Sequence, residues 1–322
     1  MTGLSFKKIG THSGTFHADE VLACAMLRIL SPESQIVRTR DESLLKNCDI
    51  VVDVGGVYSH TAKRYDHHQR GFEECFSKSF STKLSSAGLV YKHYGKQVIS
   101  SILKMEDTEK VDTIFDRIYK QFIEAFDGID NGIDRYPKDV KSKYNDYTNI
   151  SSLIGGMNGT WVEPEDQQDV RFKEALEFMT KIFKRTIVVC GTSWLPAREL
   201  VLNGLLTMKN QTIVFDEYVP WKSHFYELEE ELLKSKKLKK KALFVVYPTG
   251  DTWRVTCVSV SETSFENRLS LPEQWRGLRD SELDKVTKLS GCTFVHASGF
   301  TGGNKSKDNL MKMVEMALAE NK

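Results

Sequence analysis

The chain has 322 residues, which at roughly 150 residues per domain predicts about two domains. Its 45 Lys and Arg residues nearly balance its 44 Asp and Glu residues, and the net charge of +1 excludes a protein that holds nucleic acid by bulk positive charge. With 40% hydrophobic and 28% charged residues, the composition is that of a soluble globular protein and excludes disordered and fibrous chains.

The first half of the chain alternates predicted strands with predicted helices. Alternating apolar and polar residues predict a strand over residues 4–9, and an apolar stripe at helical spacing predicts a helix from Ala18 onward. Residues 35–40 and 49–54 are predicted strands, the second of them buried, and residues 85–93 open a further helix. This order predicts a largely parallel sheet flanked by helices.

The rest of the chain predicts a second α/β region. Residues 98–150 read as mainly helical, and a glycine-rich connector places a domain boundary near residue 160. We therefore expect an α/β fold with an N-terminal domain over residues 1–160 and a smaller C-terminal α/β domain over residues 161–322. The C-terminal domain is predicted to contain helices at about 166–184 and 305–319, and strands at 186–190, 212–216, 242–248, 253–260 and 292–297.

No membrane segment or secretion signal is evident in the sequence. No apolar run approaches the roughly 18 residues that a membrane helix needs, and the N-terminus lacks the apolar core of a signal peptide. The six cysteines form no Cys-x-x-Cys pair, which argues against a zinc ribbon and a dense disulfide framework. We expect an intracellular protein without a membrane partner. Cytoplasm, nucleus and mitochondrion are not distinguished, and a homo-oligomer is among the alternatives for its assembly.

Residues that suit metal ions follow the predicted strands. Five of the eight histidines lie within the first 68 residues. Open α/β sheets gather ligands beyond the carboxyl ends of their strands, so these residues should converge in one crevice. Imidazole and carboxylate without thiolate suit Mn²⁺ or Mg²⁺, and Zn²⁺ less well. The candidate metal ligands are His12, His17, Asp19, Asp53, His67 and Asp127.

The number of candidate ligands predicts two ions. About six ligands are too many for one tetrahedral ion but suffice for two divalent ions that share a carboxylate. Asp53 is the natural bridge, because it follows the most buried of the predicted strands. Asp66 is expected to accept a hydrogen bond from a neighbouring imidazole rather than to bind metal.

Candidate substrate contacts lie in the C-terminal half. Residues 294–306 read as a strand, a glycine loop and a helix start, where free N–H groups would bind an anion beside the charge of Lys305. Arginines near Trp275 suit single-stranded nucleic acid, although a plain amphipathic surface would show the same residues. We assign substrate binding to Arg268, Arg276, His296, Gly302, Gly303 and Lys305.

Several motifs give the chain a specific resemblance. Asp66-His67-His68, with a single aspartate before it, resembles the DHH phosphoesterase superfamily. The fuller strings resemble the melanocyte proliferating gene family of exonucleases, and they run from residue 10 to about residue 310. These strings are Gly10-Thr-His-Ser-Gly-Thr-Phe-His-Ala-Asp-Glu20, Val51-Val-Asp-Val-Gly-Gly-Val-Tyr58, Arg64-Tyr-Asp-His-His-Gln69, Lys83-Leu-Ser-Ser-Ala-Gly88, Leu271-Pro-Glu-Gln-Trp-Arg-Gly-Leu278 and the stretch at 294–305.

The resemblance implies a metal-dependent phosphodiesterase, in that family a 3′-to-5′ exonuclease acting on RNA, whose reaction would be in-line attack by a hydroxide held between two ions. It implies that the catalytic residues are Asp53, Asp66, His67 and His68. One ion would be bound by His12 and His17, the other by Asp19, His67 and Asp127, and both by Asp53. His68 would face the scissile phosphate. Many DHH enzymes have an aspartate where this chain has His17, and their first spacing is one residue shorter. The imidazole favours a softer ion, so we expect two Mn²⁺ ions, with Mg²⁺ as the alternative.

Two other functions stay open. The same metal pair would hydrolyse a small phosphorylated substrate such as a short oligonucleotide, a nucleotide phosphodiester or pyrophosphate. The near-zero net charge mildly favours this smaller substrate over a long RNA. A metal-bound scaffold without turnover is the third alternative, and the presence of every candidate ligand argues against it.

Overall fold

A computed structural model describes residues 5–163 and 167–320 of the chain. Leu4, which begins the first predicted strand, and residues 164–166, where the predicted connector ends and a predicted helix begins, lie outside the described residues. The chain divides into two compact units, Met1–Thr192 and Ser193–Lys322. Each unit has helices and one five-stranded sheet, so the α/β fold is confirmed.

The sheet of the first unit is mainly parallel, as predicted. Across the sheet the order is β2-β1-β3-β5-β4, and only β4 runs antiparallel to its neighbour. The two short strands β4 and β5 were not predicted from the sequence. The strands are β1 (Lys8–Thr11), β2 (Gln35–Arg38), β3 (Ile50–Val52), β4 (Tyr58–Ser59) and β5 (Arg64–Tyr65).

Seven α-helices of the described residues belong to the first unit. They are α1 (Ala18–Leu30), α2 (Glu42–Leu45), α3 (Ser86–Leu103), α4 (Thr108–Ile118), α5 (Glu124–Asp130), α6 (Ile150–Gly156) and α7 (Gln168–Val189). A π-helical turn, Tyr119–Ile123, joins α4 to α5. The prediction of mainly helical structure over 98–150 is wrong for residues 131–149, which form neither helix nor strand.

Helix α1 lies at the centre of the first unit. Every residue from Ala18 to Leu27 is buried, because the helix contacts both α3 and α7. A helix that is covered all round needs small side chains where its neighbours approach, and the run Ala23-Cys24-Ala25 provides them. The first turn of α1, which carries the candidate ligand Asp19, is thereby fixed in place.

Helix α7 explains why the predicted domain boundary and one predicted strand differ from the structure. The β-branched run at 186–189 suggests a strand, but the apolar stripe of α7 continues through Phe183 and Ile187, which are both buried. Residues 186–190 are therefore helical up to Val189, followed by a π-helical turn, Cys190–Trp194. Because α7 packs on α1 and α3, it belongs to the first unit, and the division of the chain falls after it rather than near residue 160.

The second unit has a mixed sheet of order β6-β7-β8-β10-β9, in which β6 and β7 are parallel and the other pairs are antiparallel. The predicted strands at 212–216, 242–248, 253–260 and 292–297 correspond to four of its strands. The elements are α8 (Leu195–Thr207), β6 (Thr212–Val214), α9 (Lys222–Lys234), β7 (Phe244–Thr249), β8 (Thr252–Cys257), the 3₁₀ turn Glu273–Trp275, α10 (Asp280–Thr287), β9 (Cys292–Val295), β10 (Thr301–Asn304) and α11 (Lys307–Ala319).

Two apolar clusters form the core of the second unit. One contains residues of α8 and α9, such as Val201 and Phe225, and the other lies between the sheet, Trp275 and α11. Within residues 5–163 and 167–320, no helix is long and apolar enough to cross a membrane.

Candidate active site

Three parallel strands of the first unit end at one edge of the sheet, and a candidate ligand follows each of them. His12 comes directly after β1, Asp53 directly after β3, and His67 two residues after β5. The register pairs Gly10 with Val51 and Val52 with Tyr65, so the three strand ends lie side by side. The predicted convergence of these residues is therefore observed.

Two helix termini complete the site. His17 precedes α1, and both oxygens of Glu20 accept a hydrogen bond from the His17 backbone N–H at 2.8 Å, which caps the helix. Asp19 lies in the same first turn. At the other side, α5 ends at Asp130.

His12, His17, Glu20 and Asp53 form the first group of candidate ligands. Each offers one ligand atom, and these atoms all lie within 4.8 Å of one another. The Nε2 atom of His12 is 3.0 Å from Oε1 of Glu20 and 3.4 Å from Oδ2 of Asp53. The group thus contains three buried residues and one exposed residue, His17.

His67 is the centre of a second group. Its Nε2 atom lies 3.0 Å from Oδ2 of Asp130, 3.3 Å from Oδ1 of Asp53 and 4.0 Å from Oδ2 of Asp19. Asp53 therefore faces His12 with one oxygen and His67 with the other, as a carboxylate shared by two ions would. Asp53 has a φ of 57°, a left-handed conformation that aspartate tolerates better than most residues.

The arrangement fits divalent metal ions. Among the described residues, the buried Oδ1 atom of Asp19 has no hydrogen-bond partner. The buried Nε2 atom of His67 is shared between the carboxylates of Asp130 and Asp53, so several buried carboxylates crowd around one imidazole. Imidazole and carboxylate are ligands that suit ions such as Mn²⁺, and an ion would give these groups a common partner.

A second layer of hydrogen bonds orients His67. Its Nδ1 atom lies 3.2 Å from Oδ1 of Asn131. The Asn131 amide group donates to the carbonyl oxygens of Lys83 at 3.0 Å and Asp127 at 2.9 Å, so its Oδ1 atom must face the ring. His67 consequently carries its proton on Nδ1 when neutral, which leaves the Nε2 lone pair for a metal ion.

Other site residues are held in the same way. Ser86 donates its hydroxyl to Oδ2 of Asp19 at 2.7 Å. Asp66 accepts from the backbone N–H of His68 at 3.1 Å and lies 2.8 Å from its Nδ1, while its other oxygen accepts from Gly56. Asp66 thus makes the hydrogen bond to an imidazole that was predicted for it. The side chain of His68 is 62% exposed.

The ionisable groups of the site depend on one another. Burial alone would lower the pKa of His12, but Asp53 and Glu20 outweigh it and raise the pKa to about 10. Burial would also lower the pKa of His67, but Asp130 and Asp53 outweigh it and raise the pKa to about 10. Burial would raise the pKa of Asp53, yet the two imidazoles lower it to about 2. Metal-free protein therefore keeps both rings protonated at neutral pH, and an ion must displace those protons.

Asp127 differs from the prediction. It is fully buried and accepts hydrogen bonds from the Ser85 N–H at 2.9 Å, the Ser85 hydroxyl at 2.7 Å, the Gly88 N–H at 3.0 Å and the Tyr119 hydroxyl at 3.0 Å. Burial raises its pKa to about 7, against the lowering effect of these donors. Its oxygens are thus occupied at the start of α3, and Asp130, one helical turn later, takes its place near His67.

Three residues of the site were not identified from the sequence: Glu20, Asp130 and Asn131. The spacing of Glu20 from His17 is the signal of a capping box, which could have placed its carboxylate at the helix start. Asp127 and Asp130 are three residues apart, so they share a helix face, and the sequence does not tell which of them reaches the metal site.

The predicted substrate residues all lie in the second unit, and Arg268 has a structural role there. Its guanidinium makes two hydrogen bonds to the buried carboxylate of Glu229, at 2.8 and 2.7 Å, and one to the carbonyl of Ala242 at 2.9 Å. The side chain is 10% exposed, so most of the guanidinium is enclosed by these contacts. A role of Arg268 in substrate binding stays a prediction.

Gly302 and Gly303 are not in a loop, as the sequence suggested, but in the buried strand β10. They pair with β8 on one side and β9 on the other, so their N–H groups belong to the sheet and not to an anion site. Glycine is needed because a Cβ at Gly303 would lie 2.6 Å from the Thr293 hydroxyl. The start of α11 is capped by Ser306, which accepts from the Asn309 N–H.

The other three predicted substrate residues are more accessible. Lys305 and His296 are exposed, and the Nδ1 atom of His296 lies 2.9 Å from the Ser298 hydroxyl. Arg276 uses its Nε to donate to the carbonyl of Leu271 at 3.0 Å. Their role in substrate binding stays a prediction.

Comparison with known sequences gives matches over nearly the whole chain. The model of a family described as "Uncharacterised protein family (UPF0160)", and labelled for MYG1 exonucleases, matches residues 8–318. The MYG1 exonuclease of Mus musculus is 43% identical over 330 residues, covering 97% of this chain and 85% of its own. The human MYG1 exonuclease is 42% identical over 329 residues, with coverages of 97% and 86%. A MYG1 protein of Dictyostelium discoideum is 42% identical over 315 residues, with coverages of 95% and 94%.

Solved structures show only remote similarity. A pGpG-specific phosphodiesterase, PggH, from Vibrio cholerae is 11% identical with a TM-score of 0.28, covering 97% of this chain and 98% of its own. RecJ in complex with Mn²⁺ from Thermus thermophilus is 12% identical with a TM-score of 0.24, with coverages of 98% and 52%. Both TM-scores are too low to establish a shared fold.

Proposed function

The chain belongs to the family of MYG1 exonucleases, and we propose that it is a divalent-metal-dependent phosphodiesterase that shortens RNA from its 3′ end. The observation that carries the proposal is the convergence of buried imidazoles and carboxylates, His12, Asp19, Asp53 and His67, at one edge of the sheet. The exonuclease names of the mouse and human relatives support the reaction class.

The proposed ligands combine the set that the resemblance implies with the distances, which bring Asp130 rather than Asp127 to His67. His12 and His17 would hold one ion, Asp19, His67 and Asp130 the other, and Asp53 both. Mn²⁺ is the preferred ion, with Mg²⁺ as the alternative. Bound divalent ions would polarise a phosphoryl oxygen and supply a nucleophile at neutral pH by lowering the pKa of water.

The remaining residues position groups around the substrate. Glu20 fixes the first turn of α1 through the His17 N–H and stays next to His12. Asp66 holds the ring of His68 through Nδ1, so Nε2 is left for a phosphate oxygen or the leaving group. The exposure of His68, unlike that of His12 and His67, suits a residue that touches substrate.

The reaction is tested with purified protein and 5′-labelled single-stranded RNA, single-stranded DNA or pyrophosphate. Each substrate is incubated with Mn²⁺, Mg²⁺ or a chelator. We expect the RNA to shorten progressively from the 3′ end with Mn²⁺ and to stay intact with chelator. Phosphate release from pyrophosphate with intact RNA would support the small-substrate alternative instead. If no substrate were turned over, the metal-bound scaffold would be the remaining alternative.

The metal site is tested with Asp53→Asn, which keeps the size of the side chain and tolerates the positive φ. Loss of residues that merely support metal ligands typically costs 10- to 100-fold in activity, so loss of the shared carboxylate should cost at least about 100-fold. Asp112→Asn, at an exposed aspartate paired with Lys96, is the matched control and should keep full activity. Full activity of Asp53→Asn would contradict a shared metal ligand.

A further inference from the structure

An unusually long irregular segment begins next to the metal site. Helix α5 ends at Asp130 and α6 begins at Ile150, and residues 132–148 between them are all exposed. Irregular connections of more than about 12–15 residues are uncommon in compact domains and are usually functional or disordered. We refer to residues 132–148 as the tyrosine segment.

The chain before and after the tyrosine segment contacts residues at or next to the metal site. At its start, Asn131 contacts the ring of His67. After its end, the side chain of Asn158 accepts from the N–H of Phe16 at 3.0 Å and donates to its carbonyl at 2.7 Å. Phe16 directly precedes His17, so the chain that follows the segment and α6 is held close to the candidate ligands.

The composition of the segment is that of a surface for single-stranded nucleic acid. Tyr136, Tyr144 and Tyr147 are 49%, 80% and 73% exposed. Four cations, Arg135, Lys138, Lys141 and Lys143, lie between and beside them, and the Arg135 guanidinium is 5.7 Å from the ring of Tyr136. Aromatic rings that stack on bases, alternating with cations that contact phosphates, bind single strands without sequence preference.

The acidic residues of the segment do not cancel its positive charge. It contains three aspartates against four cations. One of them, Asp146, accepts hydrogen bonds from the Thr148 N–H and hydroxyl at 3.0 Å, so it stabilises a local turn. The modest excess of positive charge indicates that stacking contributes more than electrostatics to binding.

We propose that the tyrosine segment binds the single-stranded part of the substrate by stacking bases on Tyr136, Tyr144 and Tyr147, and so delivers the strand to the metal site. This inference rests on the proposed function, which identifies the polymer as RNA. Duplex nucleic acid does not expose the faces of its bases, so the segment selects single strands.

The test measures binding separately from cleavage. Fluorescence anisotropy with a labelled 12-nucleotide single-stranded RNA, in chelator, compares the full chain with the variant Tyr136→Ala/Tyr144→Ala/Tyr147→Ala. At roughly 1–3 kcal/mol per stacked base, we expect the variant to bind at least about 100-fold more weakly. The control removes exposed aromatic residues of the second unit, Tyr218→Ala/Phe265→Ala, and should bind like the unmodified chain.

Two further measurements separate this inference from the proposed function. The affinity for Mn²⁺, measured by titration calorimetry, should be equal in the triple tyrosine variant and the unmodified chain, since the three tyrosines are not among the proposed metal ligands. A second variant, Lys138→Ala/Lys141→Ala/Lys143→Ala, should make RNA binding less dependent on salt. The slope of the logarithm of the RNA association constant against the logarithm of the salt concentration should fall by about 2, at roughly 0.7 per phosphate contact.

The inference is overturned if the triple tyrosine variant binds the RNA as well as the unmodified chain, if the unmodified chain binds duplex RNA as tightly, or if it binds neither. An equal loss of Mn²⁺ affinity in the tyrosine variant also contradicts it, because the defect would then lie in the metal site. Binding that depends on the tyrosines in a chain that hydrolyses no phosphodiester would support the inference and reject the proposed function.

Discussion

His67 shows how a single side chain is prepared for a metal ion. One ring nitrogen is held by Asn131, and the other faces three carboxylates. Asn131 itself is fixed by two carbonyl oxygens, so its amide cannot rotate without losing hydrogen bonds. The ring is therefore oriented before any ion binds, which reduces the cost of binding.

Replacing Asn131 by Ala should weaken metal binding. The ring of His67 would lose the partner that fixes its tautomer, and such losses typically cost 10- to 100-fold in metal affinity. Titration calorimetry with Mn²⁺ measures the change, and Asn47→Ala, at an exposed asparagine whose amide donates to the Ser43 carbonyl, is the control. An unchanged Mn²⁺ affinity in Asn131→Ala would show that the hydrogen bond does not position His67.

At the scale of single residues, convergence was predictable after strands and not after helices. His12, Asp53 and His67 follow strands, and the rule that ligands gather at strand ends predicts that they lie together, as the structure shows. Asp127 and Asp130 follow no strand, and both lie near the end of α5. Only the packing of α3 against α5 decides that Asp127 is enclosed and Asp130 is open to His67, and that packing is not visible in the sequence.

The start of α3 is the element that joins the helices of the site. Ser85 and Gly88 donate to Asp127 of α5, and Ser86 donates to Asp19 of α1. Three helices thus meet at the first turn of α3. The close approach needs a glycine, since a Cβ at Gly88 would lie 2.3 Å from an oxygen of Asp127.

Gly88→Ala should therefore destabilise the first unit. The added methyl group must displace the Asp127 carboxylate, and overpacking of this kind typically costs 1–3 kcal/mol. Gly128→Ala is the matched control, because its Cβ would meet nothing closer than 3.9 Å and alanine is the better helix former. Urea unfolding followed by circular dichroism measures both variants. If Gly88→Ala were as stable as Gly128→Ala, the contact between α3 and α5 would be looser than described.

At the scale of elements, periodic patterns were predictable and local exceptions were not. Helix α1 and strands β2 and β3 were predicted close to their observed bounds, because their patterns agree with their burial. The β-branched run at the end of α7 suggested a strand, and tertiary packing of Phe183 and Ile187 kept it helical. The glycines of β10 suggested a loop, because glycine in a central strand is rare and depends on close neighbours.

The whole molecule consists of two units with separate cores and different chemistry. The candidate metal ligands belong to Met1–Thr192, whereas Ser193–Lys322 has its own apolar clusters. The net charge of +1 describes the chain without ions, and two divalent ions would add positive charge to the first unit only. Metal ions should accordingly stabilise one unit and leave the other unchanged.

Calorimetry over pH 6.5–8 should show that the stability of the first unit depends on pH in opposite directions without and with Mn²⁺. Without metal, the raised pKa values of His12 and His67 stabilise the first unit below the unfolded value of 6.5, and this contribution is lost as pH rises toward about 10. The free energy of unfolding should then fall by up to about 1.4 kcal/mol per pH unit for each imidazole.

With saturating Mn²⁺, the ligands must be deprotonated, so the stability of the first unit should instead rise with pH. At a metal concentration 1,000 times the dissociation constant, the gain is about 4 kcal/mol. The transition of the second unit serves as the internal reference and should not respond to Mn²⁺. If Mn²⁺ shifted the unfolding transitions of both units equally, the metal site would not be confined to the first unit. If the stability of the first unit had the same pH dependence with and without Mn²⁺, the site would not be built on these two histidines.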